Sequence, residues 1–299
     1  MVFMGTDDFA ASILKRLARD PLFEVLFVVT PPDRPVGRKQ VLTSCPVKIL
    51  SDSLGLTVSF EPKDTLSIDF DFLVVASYGR ILPESILNKA KYKSLNVHGS
   101  MLPAYRGASP IQTAILNGDD VTGISVMQMV KRMDAGPVFS FSEVAIRADH
   151  NAENLRSEMA DWGAELLAQT IPGIYDGSIE STDQDDSEAT YCPKIERSSG
   201  EIDWAIESAE MIDNKRRAYY PWPGIFTTYK GKRLKIHKTG VLAGTGREIG
   251  LVFSLDESIA VMTKKGLLVL ESVQIEGKGA MDIQDFVRGY PDFVGSVLT

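Results

Sequence analysis

The sequence is poor in the residues that most often announce chemistry. Of its 299 residues only 2 are cysteine and 3 are histidine. Cys45 and Cys192 stand far apart, with no cysteine or histidine at metal-ligand spacing beside either, which argues against a disulfide scaffold or a zinc site. No metal is expected. Long apolar runs are missing as well: none approaches the about 20 residues that span a bilayer, and the first residues lack the basic-then-apolar layout of a secretory signal. A cytoplasmic protein with no membrane partner is expected. Net positive charge is also absent. At −8 the chain is unlike a general nucleic-acid binder, which carries a strongly basic domain. The excess acid lies wholly within residues 1–200, however, and the final third is balanced. There is no G-x-S-x-G elbow, and neither cysteine has the neighbours that activate a thiol. Covalent catalysis has no candidate nucleophile.

What is present is alternation. Short apolar, β-rich runs are each followed by a helical pattern: "VFMG" then 8–20, "EVLFVVT" then 46–54, "FDFLVVAS" then 82–90, and "SLNVHG" then 108–117. Such alternation predicts a doubly wound α/β domain around a mostly parallel sheet. Residues 151–174 carry Leu155, Met159, Trp162, Leu166 and Leu167 at helical spacing, so a long helix is expected to close it. From 176 to 200 the composition turns to Asp, Ser and Gly, the makeup of a surface linker. Beyond it come a short helix near 206–218 and β-like runs punctuated by glycine, which suggest a small antiparallel barrel or sandwich. The expected boundaries are a catalytic domain over 1–180, a linker over 181–203 and a β domain over 204–299. Trp162, Trp204 and Trp222 are read as packing residues, and His150 and His237 as structural.

The segment "LNVHGSMLPAYRG" over 95–107 concentrates the chemistry. Asn96 and His98 are two apart on a predicted strand, so they project from one face, at the carboxyl end where open α/β sheets bind ligands. Pro103, Gly107 and Pro110 shape the loop that follows. Asp134, in "KRMDAGPV", trails the next β-like run and can be brought against His98 by neighbouring strand ends. A carboxylate beside an imidazole fixes its tautomer, and an asparagine amide can donate to a developing oxyanion. Plainer readings stay open: His98 as a strand cap, Asp134 as a solvated turn residue. Ser100 lies only two residues after His98, which gives a Ser-His-Asp triad little support. A base, an orienting acid and an oxyanion donor without a nucleophile suit direct acyl transfer to an amine.

The run "NVHGSMLPAYRGASPIQTAILNGDDVTGISVMQM" with "MDAGPV" resembles the signature of the folate-dependent formyltransferases. The resemblance extends through "MGTDDFA", "PPDRPVGRKQ", "SYGRILP", "IDW", "PWPG" and "KGAMDIQDF", in order along nearly the whole chain. It is nearest to the branch that acts on tRNA. What it implies is a Rossmann-like catalytic domain, a linker, and a C-terminal β-barrel similar to an OB-fold that helps hold tRNA. The formyl donor and co-substrate would be 10-formyltetrahydrofolate, and the acceptor the α-amine of methionine on initiator Met-tRNA, by direct acyl transfer through a tetrahedral intermediate; separately, a monomer is expected. Catalysis falls to Asn96, His98 and Asp134. The folate site falls to Ser100, Met101, Leu102 and Pro103, with Tyr78, Gly79, Ile81 and Leu82 as a second wall. Arg34, Arg38 and Lys39 in the basic loop over 31–45, and Lys232 and Arg233 in "YKGKRLKIHK", are the expected tRNA contacts; Lys215, Arg216 and Arg217 are either further contacts or a solvated face. The chain departs from the family pattern at Asp7, Ala104 and Ala135, and its first strand is expected to be slightly short. A sugar-amine N-formyltransferase or a formyltetrahydrofolate hydrolase would share the same trio, and a non-catalytic nucleic-acid-binding module is the alternative from another class.

Overall fold

The computed structural model describes residues 1–37 and 40–299. The chain divides into two compact units. One comprises Met1–Pro110, Val121–Ala145 and Asn154–Pro193, and the other comprises Ile111–Asp120, Ile146–Glu153 and Lys194–Thr299.

The first unit is built on a seven-stranded sheet. Its strands are β1 (Val2–Gly5), β2 (Phe27–Val29), β3 (Val58–Ser59), β4 (Phe72–Ala76), β5 (Lys93–His98), β6 (Val121–Gln128) and β7 (Val138–Ala145). They lie in the order β3-β2-β1-β4-β5-β6-β7. The first five are parallel, as the alternation predicts. β6 and β7 depart from that pattern, each running antiparallel to its predecessor. Chain direction across the sheet reverses beside β1, where β2 pairs on one side and β4 on the other. Such a reversal opens a crevice at the carboxyl ends of the strands.

Burial follows from position. β1 and β4 are buried at every residue, as central strands covered on both faces must be. At the edge, β7 is mostly part-exposed or exposed. Helix α1 (Asp8–Arg19) sets Phe9, Ala10, Ile13, Leu14 and Leu17 on one buried face. Its cap is Asp7, one of the departures from the family pattern, whose Oδ1 accepts from the Ala10 amide at 3.2 Å. Asp7 also pairs with Arg156, which donates to Ser77 Oγ at 3.1 Å.

Helices α2 (Pro46–Ser53), α3 (Glu84–Leu87) and α4 (Pro110–Asn117) start later or end sooner than the sequence suggests. Pro83 precedes α3 and Pro110 opens α4, and proline suits the first turn of a helix rather than its interior. The long helix α5 (Ala152–Asp176) brings Gly163 against β5 and β6: a Cβ there would meet Val97 Cγ1 at 2.9 Å. Leu155, Met159 and Leu167 are fully buried on it, whereas Trp162 is 53% exposed and does not join them.

The second unit pairs an antiparallel sheet with helices α6 (Ala209–Ala218) and α7 (Ile283–Gly289). Its strands are β8 (Ile225–Tyr229), β9 (Lys232–Leu242), β10 (Val252–Leu255), β11 (Ser258–Met262), β12 (Leu267–Ile275) and β13 (Met281–Asp282), in the order β8-β9-β12-β11-β10 with β13 on β12. Phe286, Phe293 and Tyr229 pack edge to face at 5.0–6.3 Å between ring centres. Trp204 is buried and donates to Thr227 Oγ1 at 2.8 Å; Trp222 is largely exposed.

Leu95 on β5 has no exposed surface. Leu95→Ala is expected to cost about 2–5 kcal/mol, read as a lower midpoint in urea with an unchanged slope.

Candidate active site

β5 delivers Asn96 and His98 to the carboxyl end of the sheet. Asn96 sits in register with Val75 of β4 and Met127 of β6. It is part-exposed, and its side-chain amide has no partner among the described residues. His98 is only 6% exposed. Its Nε2 lies 3.0 Å from the Tyr105 carbonyl oxygen. A carbonyl only accepts, so Nε2 carries the hydrogen in this arrangement. Nδ1 then faces Asp134 Oδ2 at 3.8 Å, too long for a direct hydrogen bond.

The loop after β5 is held both from within and from β6. Ser100 Oγ donates to the Ala104 carbonyl at 2.5 Å. Ser125, buried on β6, accepts from the Leu102 amide at 3.0 Å and donates to the Ser100 carbonyl at 2.8 Å. Met101 lies over Gly123, where a Cβ would come within 2.4 Å of Met101 Cγ. Three non-glycine residues bordering this end of the sheet, Ser77, Tyr105 and Asp134, have left-handed backbones with φ of 44°, 58° and 50°. Such conformations persist where the surroundings over-determine them and gather at functional sites.

Asp134 belongs to the connection between β6 and β7. Its Oδ2 accepts from the Gly107 amide at 2.9 Å. Gly107 is open to no other residue: its φ is 126°, and a Cβ would stand 2.3 Å from the Cys192 carbonyl. That approach exists because Arg106–Gly107 pairs, parallel, with Tyr191–Cys192. Thr190 extends the pairing: its carbonyl accepts from the Arg106 amide at 2.9 Å, and its Oγ1 accepts from the Tyr105 amide at 2.8 Å. The stretch read as a linker thus carries contacts to the loop that follows β5. Asp186 receives Arg106 at 2.7 Å and also Arg132, and the two guanidiniums, Arg132 foremost, hold its carboxyl below the usual range. Arg132, then Arg106, lowers the Tyr191 phenol likewise. Burial pushes the Cys192 thiol up, away from nucleophilic use.

The other expected site residues are placed unevenly. Tyr78 and Leu82 are buried in the cluster with Val2, Met4 and Val75, so their side chains belong to the core. Gly79 has φ 74°, and Ile81 is 91% exposed, making it the member of that wall whose side chain is offered to solvent. Met101, Leu102 and Pro103 are part-exposed, while Ser100 is buried. Arg34 is exposed on a hairpin of Arg34–Val36 and Val41–Thr43; Arg38 and Lys39 lie outside the described residues. In the second unit Lys232 and Arg233 are exposed, the Arg233 guanidinium 4.0 Å from the centre of the Phe226 ring. The basic run on α6 is occupied internally. Lys215 pairs with Glu207 at 2.7 Å, Arg216 with Asp213 at 2.8 Å, and Arg217 donates to Asn214 Oδ1 at 2.6 Å. His150 Nδ1 accepts from the Arg147 amide, and His237 meets Gln274 at 3.1 Å.

Among the described residues there is no group of three acidic, cysteine or histidine side chains able to hold a metal ion, and no helix long and apolar enough to cross a membrane.

Residues 1–171 match the family model described as formyl transferase, and residues 194–291 match that of the formyl transferase C-terminal domain. The chain belongs to the formyl transferase family. It is 40% identical to the methionyl-tRNA formyltransferase of Caldicellulosiruptor saccharolyticus, covering 100% of this chain and 99% of that one. It is also 40% identical to the methionyl-tRNA formyltransferase of Bacillus subtilis, over 100% and 97%. Solved formyl transferases share the fold. The sugar 3N-formyl transferase WlaRD, with dTDP and 5-N-formyl-THF, superposes with a TM-score of 0.68 at 16% identity, over 93% of this chain and 98% of that one. The N-formyltransferase of Helicobacter canadensis, with folinic acid and dTDP-3-aminofucose, gives 0.69 at 17%, over 90% and 97%.

Sequence reasoning missed Ser125, a serine in a strand pattern with no motif around it. Ser125→Ala would leave the Leu102 amide and the Ser100 carbonyl without their shared partner. It is expected to cost about 1–3 kcal/mol, seen as a lower melting temperature.

Proposed function

We propose that this formyl transferase moves the formyl group of 10-formyltetrahydrofolate to the α-amine of methionine on initiator tRNA. The observation that carries the reading is full-length similarity, at 40% identity, to relatives named for acting on methionyl-tRNA. Residues 1–180 act as the catalytic domain, 181–203 as the connection and 204–299 as the tRNA-holding domain, in a monomer without a metal.

The residues at this end of the sheet fit a folate-borne formyl group in their chemistry: at the end of β5, Asn96 with an amide that has no partner among the described residues, and beyond the neighbouring strand an exposed apolar side chain at Ile81. Ser100 to Pro103 form the loop on the other side of Asn96 in sequence. When bound, the donor supplies an activated formyl carbonyl. Asn96 donates its side-chain amide to the carbonyl oxygen as negative charge gathers there during attack. The amine must lose a proton as the new C–N bond forms. His98 Nδ1, without hydrogen in the tautomer that donates to Tyr105, accepts that proton directly or through one water. Asp134 then faces the Nδ1–H so created and stabilises the charged ring. His98 then returns the proton to the donor nitrogen as the bond between that nitrogen and the formyl carbon breaks, so that tetrahydrofolate leaves, the ring is neutral again and no side chain becomes covalently attached at any step.

Acceptor choice is assigned to charge. Arg34, Arg38, Lys39, Lys232 and Arg233 contact the tRNA backbone, which makes affinity fall with salt and leaves sequence unread. The structural neighbours include a sugar 3N-formyl transferase and an N-formyltransferase in complex with dTDP-3-aminofucose, so a sugar amine is the second acceptor to test.

The test follows labelled formyl from 10-formyltetrahydrofolate to Met-charged initiator tRNA, a 3-amino sugar nucleotide, or water. Transfer to the charged tRNA is expected, and transfer to the sugar or release as formate would replace the acceptor. Asn96→Ala is expected to lower kcat by about 10²–10³-fold, and His98→Ala by about 10²–10⁴-fold, both with melting temperatures near that of the parent. Near-normal turnover by the His98 variant would sink the mechanism. Arg38→Ala is expected to raise KM for tRNA and flatten its salt dependence, leaving KM for the folate donor unchanged.

A further inference from the structure

Asp134 serves the proposed reaction only if its carboxylate is held toward His98, and in that placement its backbone occupies a region that residues with a side chain seldom adopt. It sits in a left-handed conformation, φ 50°, two residues before a glycine that has no room for a side chain: a Cβ on Gly136 would lie 1.9 Å from the Gln128 carbonyl. On the other side of this turn stands Gln184, part-buried in a stretch whose neighbours are exposed. Its Nε2 donates to the Asp134 carbonyl at 2.9 Å and to the Gly136 carbonyl at 2.7 Å. Its Oε1 accepts from Nε of Arg106 at 2.9 Å. The orientation of this amide is dictated by chemistry, because backbone carbonyls only accept and a guanidinium only donates. Arg106 is fully buried and precedes Gly107, the residue whose amide grips the Asp134 carboxylate.

We infer that Gln184 is a positioning residue for formyl transfer. It ties the Asp134–Gly136 turn to the Arg106–Gly107 segment, and so sets where the Asp134 carboxylate stands relative to His98. The inference rests on the catalytic role proposed for Asp134. Gln184 touches neither substrate nor the reacting atoms; it acts on the main chain of the residue that does. Placement errors of an ångström are known to cost orders of magnitude in rate. A side chain that spans two loops with three hydrogen bonds is suited to prevent them.

Gln184→Glu in the full chain isolates the effect. The variant keeps the size of the side chain and its acceptor for Arg106 but turns a second oxygen on two carbonyls. Single-turnover transfer is measured at saturating donor and tRNA, with KM for each, in the parent and in an Asp134→Ala background. The expected result is a fall of about 10- to 100-fold in the chemical step, KM values within about two-fold, and no further fall when Asp134 is already alanine. Equal losses in both backgrounds, or a Gln184→Glu enzyme as fast as the parent, would overturn the inference while leaving the role of Asp134 intact. Full activity of Asp134→Ala would instead overturn the site itself. Should Gln184→Glu not fold, Gln184→Met, which lacks donor and charge, is measured with the same expectation. If neither folds, Gln184 serves stability alone and the inference fails.

Discussion

The hydrogen bond from the Gly107 amide to Asp134 Oδ2, 2.9 Å long, joins the two loops that the rest of the active end is built to bring together. One loop follows a parallel strand and contains Gly107; the other follows an antiparallel strand and contains Asp134. Neither would point at the other by sheet geometry alone. Gly107 can offer its amide because its left-handed backbone lies flat against Cys192, and that contact requires the two-residue pairing with Tyr191–Cys192. Asp134 can receive it because its own backbone is turned left-handed and held by Gln184. His98 completes the arrangement from β5, with one ring nitrogen engaged by Tyr105 and the other facing the carboxylate.

Much of this was legible in the sequence, and the rest was hidden for physical reasons. The period-2 spacing of Asn96 and His98 states that they share a face, and strand–helix alternation states that the face ends in a ligand crevice. The antiparallel direction of β6 and β7 was not legible, because an apolar run gives burial but no direction. The resemblance carried by "SYGRILP" places Tyr78 at the wall of the folate site, and its burial among Val2, Met4 and Val75 is a tertiary fact that no local pattern announces. The stretch from 182 to 192 was the hardest. Its Asp, Ser and Thr are the composition of solvated chain, and only tertiary structure distinguishes an aspartate in water from one between two arginines. Gln184 has no periodicity, charge or motif to mark it.

Charge is divided between the units by use rather than by count. The cations on α6 are spent on acids of their own unit, and Lys215 is nearly enclosed. Lys232 and Arg233, at the start of β9, remain exposed. A tally of basic residues would therefore overstate the surface available to a polyanion, and the acidic overall charge understates it locally. The substitution at Asp7 shows the same economy in reverse. At this departure from the family pattern the chain has a residue that caps α1 and binds Arg156.

The antiparallel run of β6 into β7 means that Asp134 reaches the site from a hairpin connection, not from a strand-to-helix crossover. In a crossover the distance from strand end to side chain can be adjusted by adding loop, since the helix that follows absorbs the change. A hairpin has no such slack. Its two strands count residues against each other, Val121 opposite Ala145 and Ser125 opposite Phe141, and the irregularity between Val138 and Ser140 already spends the one offset the pair contains. A residue inserted or lost between Gln128 and Val138 therefore displaces the turn that the Gly107 amide and Gln184 hold. The length of this connection is a ruler: it sets where, beyond the strand ends, the Asp134 carboxylate stands.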